Sequence, residues 1–194
     1  GTIPVDENYQ TPAPGIYGLG DVIGPPSLAS VSIEQGRSAI CHPLDTDTGS
    51  KFEIVPIGIY SVPELSSVGL SEQEARKQYG DDTIIGCTNF DEVARDQIAG
   101  IKDGLLKLIF DTEGKKILGV HIVSEGATDL IHVGEMAIIH NNDVRVFLKN
   151  VQNFPTLGEA YRIAALNIVT KLADRAAKKP ISRIQSLIEQ TELN

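Results

Sequence analysis

Two apolar runs, Leu105–Phe110 and Ile117–Val123, flank the short polar loop Asp111-Thr112-Glu113-Gly114-Lys115. Aliphatic and β-branched residues on both sides of a loop with a late glycine specify a β-hairpin. A hairpin commits this part of the chain to an antiparallel sheet. Similar runs at Ile54–Tyr60, Leu65–Val68 and Thr83–Thr88 predict further strands. Helices are predicted between and after them. Ser71–Tyr79 opens Ser71-Glu72-Gln73-Glu74, a capping box in which Glu74 reaches back to the Ser71 N–H. Thr128–His140 is a second helix, Asp143 is placed to cap a short one at Val144–Leu148, and Thr156 caps a longer one. That last helix has Glu159 at its third position and Ala160, Ile163, Ala164 and Leu166 behind it. The expected fold class is α+β, an antiparallel sheet with flanking helices.

The beginning of the chain reads differently. Thr2–Thr11 is a β-type stretch, Pro12-Ala13-Pro14-Gly15 a turn, and Ile16–Leu19 a strand that ends at Gly20-Asp21. One strand alone makes no sheet, so its partners are expected upstream of Gly1. Ser27, after Pro25-Pro26, is the expected N-cap of a helix that carries Leu28, Val31, Ser32 and Gln35 at helical spacing. The turn-rich tract Cys41–Ser50 marks a boundary between a first region, 1–50, and a second, 51–172. Residues 173–194 form a slightly basic extension in which Ile181, Ile184, Leu187 and Ile188 predict an amphipathic helix.

Composition excludes several classes. The chain has 194 residues and a net charge of −9, with 41% hydrophobic and 22% charged residues. That balance describes a globular protein and opposes phosphate binding, so a nucleic-acid partner is not expected. No apolar stretch approaches the ~18 residues of a membrane span, and no signal segment opens the chain. Cys41 and Cys87 are far apart and lack C-x-x-C spacing, which fits a reducing, cytoplasmic setting. His42, His121, His132 and His140 show no metal-ligand spacing and read as structural histidines, so no metal is expected. There is no G-x-S-x-G elbow. Gly18-Leu19-Gly20-Asp21-Val22-Ile23 ends in Ile where a G-x-G-x-x-G motif needs glycine. The residues taken alone form no complete catalytic constellation.

Three patterns nonetheless recur in one order: Ile16-Tyr17-Gly18-Leu19-Gly20-Asp21-Val22 followed by Ser27-Leu28-Ala29-Ser30, then Ile57-Gly58-Ile59-Tyr60-Ser61-Val62-Pro63-Glu64-Leu65-Ser66-Ser67-Val68-Gly69, then Asn153-Phe154-Pro155-Thr156-Leu157-Gly158-Glu159-Ala160. Together they resemble the C-terminal part of the pyridine nucleotide–disulfide oxidoreductase flavoproteins, over roughly residues 1–172. The resemblance implies the end of an FAD-binding domain at 1–50 and a dimerisation domain at 51–172. It also implies FAD as cofactor and a homodimer. By that resemblance Gly20 exposes Asp21, whose carboxylate takes the ribityl chain. The helix start at Ser27, Leu28, Ala29 and Ser30 is aimed at the flavin N1/C2=O edge, where its N–H groups and positive end suit negative charge.

The third pattern selects a branch. Disulfide reductases carry His-Pro-Thr-x-x-Glu there, the His serving as acid/base and the Glu orienting it. Here Phe154 takes the His position and Glu159 the Glu position. Phenylalanine moves no proton, whereas hydride transfer between nicotinamide and flavin requires no such base. The segment thus resembles the soluble, FAD-dependent pyridine nucleotide transhydrogenases, which pass hydride between NADPH and NAD. A dihydrolipoamide dehydrogenase-like reductase and a non-catalytic dimerisation module are the alternatives. The glycine-rich FAD fingerprint, any redox cysteine pair and the NAD(P)-binding domain are expected upstream of Gly1, so that this chain alone is inactive.

Overall fold

The computed structural model describes residues 1–46 and 54–192, with side chains through residue 177. The chain divides into two units, Gly1–Val55 and Pro56–Asn194.

In the first unit the predicted strand Ile16–Leu19 does not form. A single antiparallel bridge, Gln10 to Tyr17, is made, flanked by Thr11 N–H to Ile16 O at 2.8 Å and Gly18 N–H to Tyr9 O at 2.9 Å. A strand needs a ladder of partners, and among the described residues this segment has only one rung. Thr2–Thr11 forms no strand for the same reason; its backbone is tied by Ile3 N–H to Val22 O at 2.8 Å. A 3-10 turn follows at Gly20–Ile23, then helix α1, Ala29–Cys41. α1 buries Val31, Gln35 and Ala39 along one stripe. Its N-cap is Leu28, not the expected Ser27, and no side chain closes the helix end. The Leu28 N–H turns back to Pro26 O at 3.1 Å, which holds Leu28 extended and delays the helix by one residue. Of the predicted boundary tract Cys41–Ser50, residues 47–50 lie outside the described residues.

The second unit is built on a five-stranded, wholly antiparallel sheet of order β1-β2-β5-β4-β3. The strands are β1 Ile57–Ile59, β2 Glu64–Gly69, β3 Ile84–Asn89, β4 Leu105–Phe110 and β5 Ile117–Ser124. The helices are α2 Glu72–Tyr79, α3 Ala94–Ala99, α4 Ala127–Ile139, α5 Arg145–Lys149 and α6 Glu159–Glu192. The expected hairpin is β4–β5: the Asp111 carboxylate accepts the Lys115 N–H at 2.8 Å, and Gly114 sits at φ +69°. The expected capping box of α2 is also present, with Glu74 N–H to Ser71 Oγ at 3.3 Å and Ser71 N–H to Glu74 Oε2 at 2.9 Å.

Strand alternation sends Leu106, Leu108, Phe110, Val120 and Ile122 to one face, where α4 lies over β2 and β5 and α6 over β3 and β4. Full burial of each such side chain contributes about 1.5–3 kcal/mol. α6 approaches β3 so closely that a β-carbon on Gly86 would collide with Ala164 O and Ile168. Only glycine admits that contact. Lys171 Nζ then donates to Ile85 O at 2.7 Å and Arg175 Nη1 to Asp82 O at 2.6 Å, fastening α6 along β3. On the opposite face Ala75 of α2 packs with Ile109 and Leu118.

Three helix starts depart from expectation. α4 starts at Ala127, after Gly126 at φ +71°, and its cap comes from a strand: Glu64 Oε2 accepts both Thr128 N–H at 3.0 Å and Thr128 Oγ1 at 2.7 Å. Those bonds hold the Glu64 carboxyl below its usual range. At α5 the Asp143 carboxylate accepts the Arg145 N–H at 2.8 Å, while Val144 is the residue that leads into the helix. The Thr156 hydroxyl donates to Asn153 O at 2.8 Å instead of capping α6, while Glu159 Oε2 accepts the Thr156 N–H at 3.4 Å. α6 runs unbroken past Pro180 to Glu192; the side chains of Ile181, Ile184, Leu187 and Ile188 lie outside the described residues.

Tyr161 joins these helices. It is fully buried, its hydroxyl accepts the Gly134 N–H at 3.1 Å and donates to Leu130 O at 3.0 Å, and its ring stacks on Phe147 at 5.0 Å. Burial pushes its phenol far above the ordinary range. Tyr161→Phe keeps the ring and deletes the hydroxyl, so it is expected to cost about 1–3 kcal/mol. Thermal melts should then fall by several degrees; an unchanged midpoint would show that the hydroxyl contributes nothing to α4–α6 docking.

Candidate functional site

Two segments carry the sequence-predicted site residues, one in each unit. In the first, Leu19 is extended and Gly20 turns left-handed at φ +71°, which swings the chain into the 3-10 turn. Gly20 is buried, a β-carbon there would stand 2.9 Å from Ser32 Oγ, and its N–H donates to the buried Gln35 Oε1 at 2.7 Å. Glycine is required by both the dihedral and the space. The next residue, Asp21, is therefore presented to solvent, and among the described residues nothing donates to its carboxylate. Only its backbone is engaged, accepting the Gly24 N–H at 3.1 Å.

The start of α1 is the complementary feature. With Leu28 as an uncapped N-cap, the N–H groups of Ala29, Ser30 and Val31 have no acceptor among the described residues. Ser27, Ala29 and Ser30 are exposed, and Leu28 is half-buried. An open helix N-terminus offers donors and about half a positive charge. This unit thus presents an acceptor for hydroxyls and a donor cluster for a carbonyl or anion.

In the second unit Phe154 lies in the loop before α6 and is 74% exposed. None of the four histidines is in this loop. His121 Nε2–H donates to Leu70 O at 3.0 Å, His132 Nδ1–H to Glu135 Oε2 at 2.7 Å, and His140 Nδ1–H to Met136 O at 2.8 Å. His42 Nδ1 is 3.1 Å from the Tyr17 hydroxyl. Glu159 is half-buried and bonded to the Thr156 backbone, a local role at the positive end of α6. Large apolar side chains are exposed in this unit: Val151 and Phe154 in the loop, Val133 and Met136 on α4, and Leu166 and Val169 on α6. Exposed large apolar side chains in such number are what an interaction surface is built from.

Sequence reasoning singled out Gly20, Asp21 and a helix start at Ser27, which the structure moves to Leu28, and it missed Gln35 as the partner of Gly20. Its signal was a polar residue in register with Val31 and Ala39 on the buried stripe of α1. It also missed Tyr161, whose role depends on a helix 27 residues earlier.

Comparison with known proteins bears on both segments. Residues 55–165 match the family model "Pyridine nucleotide-disulphide oxidoreductase, dimerisation domain". The soluble pyridine nucleotide transhydrogenase of Mycobacterium bovis (strain BCG / Pasteur 1173P2) is 44% identical over 172 residues, covering 89% of this chain and 36% of that protein. That of Pseudomonas putida KT2440 is 43% identical over 179 residues, covering 89% and 38%. The chain thus spans little more than a third of the length of these relatives. Among solved structures, the HOCl-induced flavoprotein disulfide reductase RclA of Escherichia coli superposes with a TM-score of 0.78 at 22% identity, covering 85% of this chain and 38% of that one. LpdA of Mycobacterium tuberculosis gives 0.73 at 25%, covering 84% and 36%. The antiparallel sheet with its helices is the dimerisation fold of these enzymes, and the chain belongs to the pyridine nucleotide–disulphide oxidoreductase family.

Proposed function

We propose that the chain is the C-terminal portion of a soluble, FAD-dependent pyridine nucleotide transhydrogenase that moves hydride from NADPH to NAD+, releasing NADP+ and NADH. Residues 1–50 supply part of the FAD site, 51–172 the homodimer interface and 173–194 a helical extension. NAD(P) is bound by parts of the relatives' length that this chain does not span. The setting is cytoplasmic. What supports this reading is the motif resemblance, by which Phe154, exposed in the loop before α6, matches the position where a disulfide reductase keeps its acid/base. Thiol chemistry has no proton carrier there, and hydride transfer needs none.

The residues of the first unit fit a flavin. Asp21 has an open carboxylate for ribityl hydroxyls, and the unpaired N–H groups at the start of α1 suit the N1/C2=O edge. When bound, FAD supplies the hydride acceptor and donor. Gly20 and Gln35 hold the turn that presents Asp21, and Leu28, Ala29 and Ser30 form the helix start, with Ser27 just before it. Glu159 has no part in proton transfer.

Two outcomes are expected of a protein of the relatives' length. Asp21→Ala removes a charge-assisted acceptor worth about 1.5–3 kcal/mol, so flavin affinity should drop roughly ten- to hundred-fold. Gln35→Leu leaves the Gly20 N–H buried and unpaired, so it should lose flavin together with about 1–3 kcal/mol of stability. Flavin content after gel filtration, with a melt, reads both; retention of flavin by D21A would refute the assignment of Asp21.

The wild-type enzyme should reduce an NAD+ analogue at the expense of NADPH and leave lipoamide and glutathione disulfide essentially untouched. Phe154→His alone should not create disulfide reduction, since Cys41 and Cys87 are separate free thiols. Efficient turnover of a disulfide by the wild type would instead favour dihydrolipoamide-type chemistry.

A further inference from the structure

The connection between β3 and β4 contains a buried carboxyl group, Asp96, outside the segments that carry Asp21 and Phe154. Phe90 and Val93, both fully buried, anchor the segment, and α3 follows directly. Asp96 in α3 is only 2% exposed, and its buried Oδ2 has no hydrogen-bond partner among the described residues. The backbone holds it there: Asp96 N–H donates to Val93 O at 3.1 Å, and Asp96 O accepts the Ile101 N–H at 2.9 Å. Two charged groups act on the carboxyl. Glu125, in the turn joining β5 to α4, opposes its ionisation, and Arg95, exposed on α3 itself, favours it.

A carboxylate with an unpaired buried oxygen is costly, whereas the protonated acid is neutral and far cheaper to bury. We propose that α3 is a proton-held clasp, packed with Asp96 neutral and loosened when Asp96 gives up its proton to solvent. Burial, followed by Glu125, raises the Asp96 pKa above its ordinary value of 3.8. The closed clasp therefore binds a proton that the open one releases. Closure is firmest below the ordinary value and is lost as pH rises through the raised value. Phe90 and Val93 stay packed, so the opening is local to α3 and the turn after it, not a global unfolding.

Hydrogen exchange on the 194-residue chain between pH 4 and pH 7, corrected for intrinsic exchange rates, tests the clasp. Protection of residues 94–101 should fall by at most about ten-fold per pH unit, one proton being released, and then level off. Asp96→Asn, neutral at every pH and nearly isosteric, should give a flat profile over the same residues. Glu125→Gln leaves α3 untouched and should shrink the fall, because the like charge is gone. Flat protection in the wild type, a D96N profile that parallels the wild type, or an unaltered fall in E125Q would each overturn the proposal.

Discussion

The Tyr161 hydroxyl is the contact on which the helical layer depends. One oxygen accepts from Gly134 and donates to Leu130, so the first turns of α6 are tied to the middle of α4. The ring stacks on Phe147, which brings α5 into the same joint. Gly134 makes the approach possible: a β-carbon there would stand 2.9 Å from the Tyr161 oxygen and 2.7 Å from Val120 Cγ2. Because the joint sits seven residues beyond Phe154, it also determines where the loop before α6 leaves the domain. A loop that must present an apolar side chain to solvent gains its definition from such buried polar ties at its exit.

The sheet responds to the same layer. Its packed face carries an alternating row of buried aliphatics, and Gly86 allows α6 to lie almost on the backbone of β3. The Thr88 hydroxyl donates to Ala160 O at 2.9 Å in the same interface, so even the polar atoms between helix and strand are paired. The other face is covered only in part by α2. There Glu72 joins Lys107 of β4 at 3.0 Å and Arg76 at 3.0 Å, which lowers the Glu72 pKa, chiefly through Lys107. That triad is partly exposed and contributes little to stability. The packed face, not the ion pairs, holds the domain together.

The two candidate segments illustrate a division between presentation and chemistry. Gly20 and Gln35 hold the turn at Asp21, and among the described residues no hydrogen bond reaches the Asp21 carboxylate. The α1 N-terminus is open because Leu28, extended after Pro26, brings no capping oxygen. In the second unit Glu159 and Tyr161 spend their polar atoms on their own unit's backbone, while Val151 and Phe154 are left exposed. The first pattern suits a polyol and a carbonyl edge; the second suits a protein surface.

Sequence by itself determined the elements whose causes are local. The β4–β5 hairpin follows from Gly114 between two aliphatic runs, the α2 capping box from Ser71 and Glu74, and the family from three motifs in order. It misjudged elements whose causes lie elsewhere in the chain. Ile16–Leu19 had strand composition, yet a strand exists only if another segment supplies its rungs, and among the described residues one bridge is all it has. Ser27 had the chemistry of an N-cap, but the backbone turn over Pro26 moved the helix start to Leu28. The α4 cap comes from Glu64, 64 residues before Thr128, and no local window contains that pair. The turn that exposes Asp21 was legible because glycine before a carboxylate is a local signal; Gln35 and Tyr161 were not, because a buried polar side chain acquires its role only from the partner that folding brings to it.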